Sequence, residues 1–293
     1  MSLIEKAVER LEGLPKQPER TGAGAHSSSL LVPGVEAGID SNMAHSGSSG
    51  SESRRIDIDL VRLRAAGFIT PDTPGSLTAE EFRVLKRPLL ANVMGPAAPI
   101  RNANLIMVTS ALPGEGKSFT AVNLAMSIAM ELDRTVLLVD ADVARPSLPR
   151  VLGLPEQKGL MDVLQDKSLK LSDVLLRSNI DKLTILTAGT QDAHATELLA
   201  SEVMWRLLNE MARRYPDRDI IFDSPPLLMT TEARVLATRL GQIVFVVRAE
   251  QTPQSAVKEA LATIETCPVK LMVLNQTRNV EHVAYGYEYG YGY

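Results

Sequence analysis

The sequence has few of the features that mark secreted, membrane-spanning or nucleic-acid-binding proteins. Its 293 residues include one cysteine, Cys267, which excludes an internal disulfide and a cysteine-based metal cluster. The longest apolar runs, such as 243–247, are far shorter than the ~20 residues of a bilayer-spanning helix. Aromatic residues make up 4% of the chain, the net charge is −4, and no long basic run argues for nucleic acid. A hydrophobic content of 45% is ordinary for a soluble protein with a substantial core.

The beginning of the chain predicts a docking helix and then a linker. Ile4, Val8 and Leu11 share one helical stripe within residues 1–13, an amphipathic pattern. Because this helix is not basic, it favours docking to a protein partner over a lipid surface. Residues 14–53 are rich in Gly, Ser, Pro and Ala, which cannot offset the entropy of ordering, so we expect a flexible linker. The opening residues show no signal peptide, so we expect a cytoplasmic protein.

Residues 54–100 are predicted to form an N-terminal extension that contains a second helix. The segment Thr78-Ala-Glu-Glu81 has the capping-box pattern, a hydroxyl residue followed three positions later by Glu. The helix should run through Phe82 and be interrupted or kinked at Pro88, whose ring clashes with an undisturbed helix interior.

Residues 101–280 alternate short β-rich runs with helical patterns such as 118–130 and 196–213. Several runs are apolar on both sides of the strand alternation, which is typical of strands buried on both faces of a parallel sheet. The order predicts a doubly wound α/β domain with a mainly parallel sheet and a site at the carboxyl ends of its strands. The predicted strands are 105–108, 135–139, 183–186, 219–222, 242–247 and 270–274.

A phosphate-binding loop follows the first of these strands. The segment Ala111-Leu-Pro-Gly-Glu-Gly-Lys-Ser118 lies between a strand and a helix, the context that a phosphate loop requires. Its glycines let backbone N–H groups approach phosphates, and the helix N-terminus adds unpaired donors. Lys117 should reach the β- and γ-phosphates, and the Ser118 hydroxyl should ligate Mg²⁺. The residues expected to bind the nucleotide are Pro113, Gly114, Glu115, Gly116, Lys117, Ser118, Phe119 and Asn275.

Three aspartates follow predicted strands at positions that suit a metal site. Asp140 and Asp142 come after the run 135–139, and Asp223 comes after 219–222. All three should lie near the phosphate loop if these strands adjoin, because the carboxyl ends of parallel strands share one edge of the sheet. A lone Asp after a strand is usually a turn former or a helix cap. Three of them beside a phosphate loop favour binding of Mg²⁺.

The end of the last predicted strand indicates adenine rather than guanine as the base. Guanine-specific relatives carry Asn-Lys-x-Asp there, whereas this chain has Asn275-Gln-Thr-Arg278. Asn275 could contact a purine, or it could cap the strand end. We therefore expect ATP as the nucleotide.

Taken in order, these motifs resemble the bacterial tyrosine kinases, most closely the cytoplasmic autokinases encoded with exopolysaccharide export systems. The resemblance covers residues 78–293 and depends on the phosphate loop, on Asp140-Ala-Asp142 with Arg145-Pro146 after it, and on Asp223-Ser-Pro-Pro226. Softer matches are 159–164, 188–189 followed by 197–199, and a tyrosine-rich tail at 281–293 that holds five of the six tyrosines. These five tyrosines are Tyr285, Tyr287, Tyr289, Tyr291 and Tyr293.

The resemblance implies a P-loop NTPase fold like that of the partition and septum-positioning ATPases, with phosphoryl transfer from ATP to protein tyrosines. Asp142 would accept or orient the proton of the acceptor tyrosine, and Lys117 would act with it. Asp140 and Asp223, together with Ser118, would organise Mg²⁺. The five tail tyrosines would be the phosphoacceptors, and the protein would regulate exopolysaccharide synthesis or export.

The resemblance also implies partners. Glu80, Arg83 and Lys86 match a Glu-x-x-Arg-x-x-Arg helix that packs neighbouring subunits into a ring, with Lys86 replacing the planar fork of the final Arg. These residues could instead be solvated charges on a helix surface. Most proteobacterial members carry a fused membrane-spanning domain, which this sequence lacks. A separate polysaccharide chain-length (copolymerase) protein is therefore implied as the partner that recruits the kinase to the inner membrane, together with a cognate tyrosine phosphatase.

Four positions depart from the expected patterns or stay undecided. Ala111 stands where the loop usually has its first Gly, and Ala144 stands where the family usually has Arg. Leu112 replaces the signature Lys of the partition and septum ATPases, which favours the kinase. Glu232, where relatives commonly have Asp, could be a site residue or a helix start.

The tail predicts phosphorylation of one subunit by another. Its tyrosines alternate, so their phenols share one face of an extended strand that could enter a neighbour's site. Each phosphate adds about −1.5 to −2 charges, so a phosphorylated tail should leave an acidic cleft and loosen the ring. Two rival functions stay open: a partition-type ATPase switch without protein phosphorylation, and a nucleotide-binding regulatory adaptor. The tail itself could instead be a sticky or dimerising aromatic end.

Overall fold

The computed structural model of the protein describes residues 54–95, 100–214 and 217–277. The predicted docking helix, the predicted linker and the tyrosine-rich tail lie outside the described residues. Within the described part, no helix combines the length and the apolar character needed to cross a membrane.

The described residues form an eight-stranded sheet with the spatial order β1-β4-β5-β3-β6-β2-β7-β8. Every neighbouring pair is parallel except β4 and β5. The strands are β1 (Arg54–Ile56), β2 (Leu105–Ser110), β3 (Thr135–Asp140), β4 (Leu176–Ser178), β5 (Leu183–Leu186), β6 (Arg218–Asp223), β7 (Gln242–Arg248) and β8 (Val269–Asn275). The prediction of a mainly parallel α/β sheet is confirmed.

Helices cover both faces of this sheet. Leu105 and Met107 of β2 pack into one hydrophobic core, while Ile106 and Val108 of the same strand pack into the other. Side chains of β2 therefore alternate between two cores, as expected for a strand buried on both faces. The helices are α1 (Leu60–Ala65), α2 (Leu77–Met94), α3 (Lys117–Ala129), α4 (Leu148–Leu152), α5 (Leu160–Gln165), α6 (Leu171–Val174), α7 (Ala195–Ala200), α8 (Glu202–Arg214), α9 (Thr231–Ala237) and α10 (Gln254–Ala262).

The helix α2 differs from its prediction at its start and at its proline. Its N-cap is Ser76, whose hydroxyl accepts a hydrogen bond from the Ala79 N–H at 3.2 Å, so the box predicted at Thr78 does not begin the helix. The interruption predicted at Pro88 does not occur, because the helix continues through Pro88 to Met94. The ring of Pro88 is exposed, while the following Leu89 and Leu90 are buried in the core and hold the helix in place.

The helix predicted over 196–213 is divided in two. Ser201 leaves the helical region at ψ 160° and begins the next helix, where its hydroxyl accepts from the Met204 N–H at 3.2 Å. This is the usual behaviour of serine at a helix start.

Candidate functional site

The candidate site lies where three central strands end side by side. In the sheet register Asp140 of β3 pairs with Asp223 of β6, and Asp223 pairs in turn with Val108 of β2. The loop that follows β2 is the predicted phosphate loop. Because β3, β6 and β2 are neighbours in the sheet, both aspartates lie near that loop, as predicted from the sequence.

Two glycines of the phosphate loop have left-handed backbone conformations. Gly114 has φ 80° and Gly116 has φ 97°, and Gly116 caps α3. A Cβ atom at position 116 would lie 2.0 Å from Nδ2 of Asn275, so both the backbone angle and the available space require glycine there. Ala111, the departure from the usual pattern, is fully buried behind the loop.

Side-chain hydrogen bonds stabilise this conformation of the loop. The buried Glu115 accepts through Oε2 from the Leu112 N–H at 2.6 Å, and through Oε1 from the Thr252 hydroxyl. Asn275 Nδ2 donates to the Glu115 carbonyl at 2.9 Å, and Gln276 Nε2 donates to the Gly114 carbonyl at 3.4 Å. The Glu115 and Asn275 side chains thus contact the loop itself. The sequence analysis did not predict this contact of Asn275 with the loop, and the purine contact suggested for Asn275 remains a prediction.

A serine that the sequence analysis did not identify connects the loop to the carboxylates. The Ser147 hydroxyl lies 2.7 Å from the Ser118 hydroxyl and donates to Asp223 Oδ2 at 3.0 Å. The Ser147 N–H and the Leu148 N–H donate to Asp140 Oδ2 at 3.0 and 2.9 Å. Only its place after Arg145-Pro146 marks this serine in the sequence, which is too weak a signal to assign it.

Asp142 lies at the rim of the same cluster. Its N–H donates to Asp140 Oδ1 at 3.3 Å, and its own Oδ1 accepts from the Arg145 N–H at 3.1 Å. It is half-buried, whereas Asp140 and Asp223 are fully buried. Asp142 is therefore the carboxylate of the three with the greatest access to an incoming group.

The electrostatics of the site favour a bound cation. Burial, with a further contribution from the charge of Asp223, raises the pKa of Asp140 to about 8. Burial also raises the pKa of Asp223 to about 6, and Oδ1 of Asp223 is buried with no hydrogen-bond partner among the described residues. Burial lowers the pKa of Lys117, against the opposing attraction of Asp223, Asp142 and Glu115. Without a bound cation, burial thus favours the protonated, neutral form of both carboxyl groups, and a cation placed between them would favour their charged form.

Mg²⁺ fits this arrangement. Across the described ranges, no group of three or more His, Cys, Asp or Glu side chains is arranged to hold a metal by protein ligands alone. Mg²⁺ usually keeps several waters and binds through one or two carboxylates plus substrate phosphates, with a loop hydroxyl as a further ligand in P-loop proteins. The Ser118 hydroxyl, Asp140 and the unpaired Oδ1 of Asp223 match that requirement, and their assignment as metal ligands remains a prediction.

Phe119 and Glu232 have identifiable positions near the site. The Phe119 ring packs against Phe68 and Phe82, with centroid distances of 5.0 and 6.4 Å, so its side chain belongs to the core beneath the loop. Glu232 lies in the first turn of α9 and accepts from the Thr196 hydroxyl at 2.7 Å. Burial raises the pKa of Asp142, and the negative charge of Glu232 makes a smaller contribution in the same direction, so Glu232 is a helix-start residue close enough to affect the site.

The three residues predicted to form the subunit contact do not share one environment. Glu80 and Arg83 form an ion pair on the outer side of α2. Lys86 is only 4% exposed, donates to the Ser127 carbonyl at 2.5 Å and lies 2.7 Å from the carboxylate of Glu131. The prediction for Lys86 is corrected, because its side chain is turned inward onto α3 and is neither an intersubunit contact nor a solvated charge.

Comparison with known proteins identifies similar chains and folds. Residues 101–273 match the ParA family model, described as NUBPL iron-transfer P-loop NTPase. The chain is 34% identical to tyrosine-protein kinase YwqD of Bacillus subtilis, covering 73% of this chain and 87% of that protein. It is 32% identical to the succinoglycan biosynthesis transport protein ExoP of Rhizobium meliloti, over 80% of this chain but 29% of ExoP. The solved kinase domain of Escherichia coli tyrosine kinase ETK aligns with a TM-score of 0.60 at 25% identity, covering 76% of this chain and 83% of that domain.

Proposed function

This chain belongs to the bacterial tyrosine-protein kinases, with a P-loop NTPase domain of the ParA family, and we propose that it phosphorylates the tyrosine-rich tail of another copy of itself. ATP is the phosphoryl donor and Mg²⁺ is the metal in this proposal. The family membership supports the reaction class. The tail supports the acceptor, since five of the six tyrosines lie there.

The observation that carries the proposal is that backbone N–H groups suited to bind phosphate lie next to carboxylates at one edge of the sheet. The loop presents backbone N–H groups at the start of α3, and the partial positive charge of the helix adds to them. Ser147 joins Ser118 to Asp223, so the loop and the acids are one connected unit. A phosphate–metal group placed on the loop would therefore lie against the acids.

Each residue has a role in the proposed transfer. Lys117 would hold the β- and γ-phosphates, and Ser118, Asp140 and Asp223 would hold Mg²⁺. Mg²⁺, when bound, neutralises negative charge on the transferring group. Asp142, at the rim, would accept the proton of the tyrosine hydroxyl. Phosphoryl transfer depends chiefly on positioning and charge neutralisation, which this preformed arrangement supports.

We extend the proposal to the assembly. The outer side of α2 with Glu80 and Arg83 would contact a neighbouring subunit in a ring, and phosphorylation of all five tail tyrosines would loosen that ring by charge repulsion. A membrane copolymerase would recruit the ring, and a tyrosine phosphatase would reset it. The similarity to ExoP, a succinoglycan transport protein, supports a role in exopolysaccharide synthesis or export.

Incubation of the purified protein with γ-labelled ATP and Mg²⁺ tests the reaction. We expect label on tyrosine, lost in Lys117→Met and in a variant lacking 281–293, and kept in Lys258→Met, which replaces an exposed lysine of α10. Release of phosphate without phosphotyrosine would instead indicate a partition-type switch. Nucleotide binding without turnover would indicate a regulatory adaptor.

A further inference from the structure

A groove adjoins the candidate site and has no role in the chemistry proposed above. Its volume is about 850 Å³, and it is lined by parts of 146–150, 154–158 and 187–191. Pro146 and Pro149 of its lining flank Ser147, which itself contacts Asp223. One end of the groove therefore lies beside the segment that contacts the carboxylate cluster.

The wall of this groove is held rigidly. Asp162 Oδ2 accepts from the Gly159 N–H at 2.8 Å and from the Thr190 N–H at 3.0 Å, which ties the segment before α5 to the segment after β5. A Cβ at Gly159 would lie 2.1 Å from the Thr187 carbonyl oxygen, so the two segments approach as closely as glycine permits. Rigid support of this kind is what a binding site needs to hold its groups in place.

The groove presents side-chain hydrogen-bond donors that have no partner among the described residues. Arg150 and Lys158 line the groove and are exposed. Among the described residues, neither side chain donates a hydrogen bond or forms an ion pair. Gln157 also lines it, and its Nε2 is a buried donor without an acceptor in that part of the chain. Glu156 is the acidic residue of the lining and offsets one of the two positive charges. The excess of donors suits an anionic ligand rich in acceptor atoms.

We propose that this groove binds a phosphotyrosine of the tail of a second copy of this chain, with Arg150 and Lys158 holding the phosphate. The proposal rests on the proposed function and names a second subsite for its peptide substrate. In an extended tail, tyrosines two positions apart lie about 6.8 Å apart on one face. A phosphotyrosine in the groove would therefore retain the tail while a neighbouring tyrosine faces Asp142. Arginine and phosphate form charge-assisted, often bidentate hydrogen bonds, which makes Arg150 the principal anchor.

Peptide binding to the full-length chain tests this subsite. The five tail tyrosines are first replaced by phenylalanine, so that the chain cannot carry its own phosphotyrosine. Fluorescence anisotropy then compares two peptides of residues 281–293, one unphosphorylated and one phosphorylated at Tyr289. Mg²⁺ and a non-hydrolysable ATP analogue are present to occupy the phosphate loop. We expect the phosphopeptide to bind about tenfold more tightly, as for a 1.4 kcal/mol charge-assisted contact.

Matched variants assign the effect to the groove. Arg150→Gln with Lys158→Gln should reduce the preference for phosphopeptide to less than about twofold, since both donors to the phosphate are lost. Lys167→Gln with Lys258→Gln removes the same charge from exposed positions outside the lining and should keep the preference. Equal binding of the two peptides, or a preference that survives loss of Arg150 and Lys158, would overturn the proposal. Because this assay measures no turnover, its outcome is separate from the labelling test of kinase activity.

Discussion

Asp140 and Asp223 lie side by side at the ends of β3 and β6. Their protonation should make the stability of the nucleotide-free protein depend on pH. Burial raises their pKa values to about 8 and about 6. A carboxyl group with a raised pKa binds more protons in the folded state than in the unfolded state. Its stabilising contribution is therefore present at acidic pH and is lost as the pH rises through the folded-state pKa. We expect the free energy of unfolding to fall from about pH 5 to about pH 8, measured by urea denaturation without Mg²⁺ or nucleotide.

A variant separates this effect from other titrations. Asp140→Asn removes the carboxyl group whose pKa is raised to about 8 and should flatten the decline, whereas Asp133→Asn, at an exposed position before β3, should leave it unchanged. A decline of equal size in Asp140→Asn and in the parent protein would show that Asp140 is not its source.

Gly116 is the position where the loop tolerates least change. Alanine there must adopt φ 97° and would place its Cβ 2.0 Å from Asn275 Nδ2. Strain of about 1–3 kcal/mol is expected from the backbone angle alone. Gly116→Ala should therefore weaken MgATP binding by at least about tenfold in calorimetry. The control Gly75→Ala has no atom within 4 Å of the added Cβ and should bind as the parent does.

At the residue scale, the three aspartates and the phosphate loop could be predicted from the sequence, because each directly follows a strand that local sequence patterns reveal. Other residues depend on contacts between distant segments. Ser147, 29 positions from Ser118, and Asn275, 160 positions from Glu115, acquire their contacts only when the sheet is assembled. The helix pattern predicts Lys86 as a surface charge. In the structure its ammonium group is buried, where it pairs with Glu131 and donates to the Ser127 carbonyl.

At the element scale, the six predicted strands all occur, extended at one or both ends by one or two residues in most cases. Their apolar, β-branched runs are strong local signals. The strands β1 and β4 were missed because each has three residues and their hydrogen-bond partners are distant in the chain. The division of the helix at Ser201 was missed because Ser201 continues the helical pattern on both sides.

A buried ion pair joins two of the central strands. Arg134, directly before β3, donates to both carboxylate oxygens of Asp219 in β6 at 2.9 and 2.7 Å, and the Asp219 side chain is fully buried. Arg134→Met would leave that carboxylate without its cation, which typically costs about 3–5 kcal/mol. Denaturant unfolding should show a loss of this size. Arg206→Met, which breaks an exposed pair with Glu202, should cost less than about 1 kcal/mol. Similar losses in both variants would contradict the assigned role of burial.

At the scale of the whole molecule, the outer side of α2 has the composition of a contact surface. Leu77 and Val84 are 64% and 74% exposed, and they lie at helical spacing from Glu80. Exposed apolar side chains bordered by charges are typical of interaction sites. These two residues add an apolar component to the subunit contact that we propose for Glu80 and Arg83.

A charge placed on this surface should break the assembly. Val84→Glu would put a carboxylate into the contact, so light scattering should give a lower mass than for the parent protein at equal concentration. Val61→Glu is the matched control, because Val61 is 73% exposed on α1, away from α2 in sequence. An unchanged mass in Val84→Glu, or an equal fall in Val61→Glu, would argue against α2 as the contact.

The central claim, that the site of one chain phosphorylates the tail of another, is tested by mixing two proteins that cannot label their own tails. One is Lys117→Met with its tail intact, and the other is the parent site in a chain lacking 281–293. With γ-labelled ATP and Mg²⁺, we expect phosphotyrosine on the tail of the Lys117→Met chain in the mixture and in neither protein alone. Absence of label in the mixture, while the unaltered protein becomes labelled, would contradict transfer between subunits.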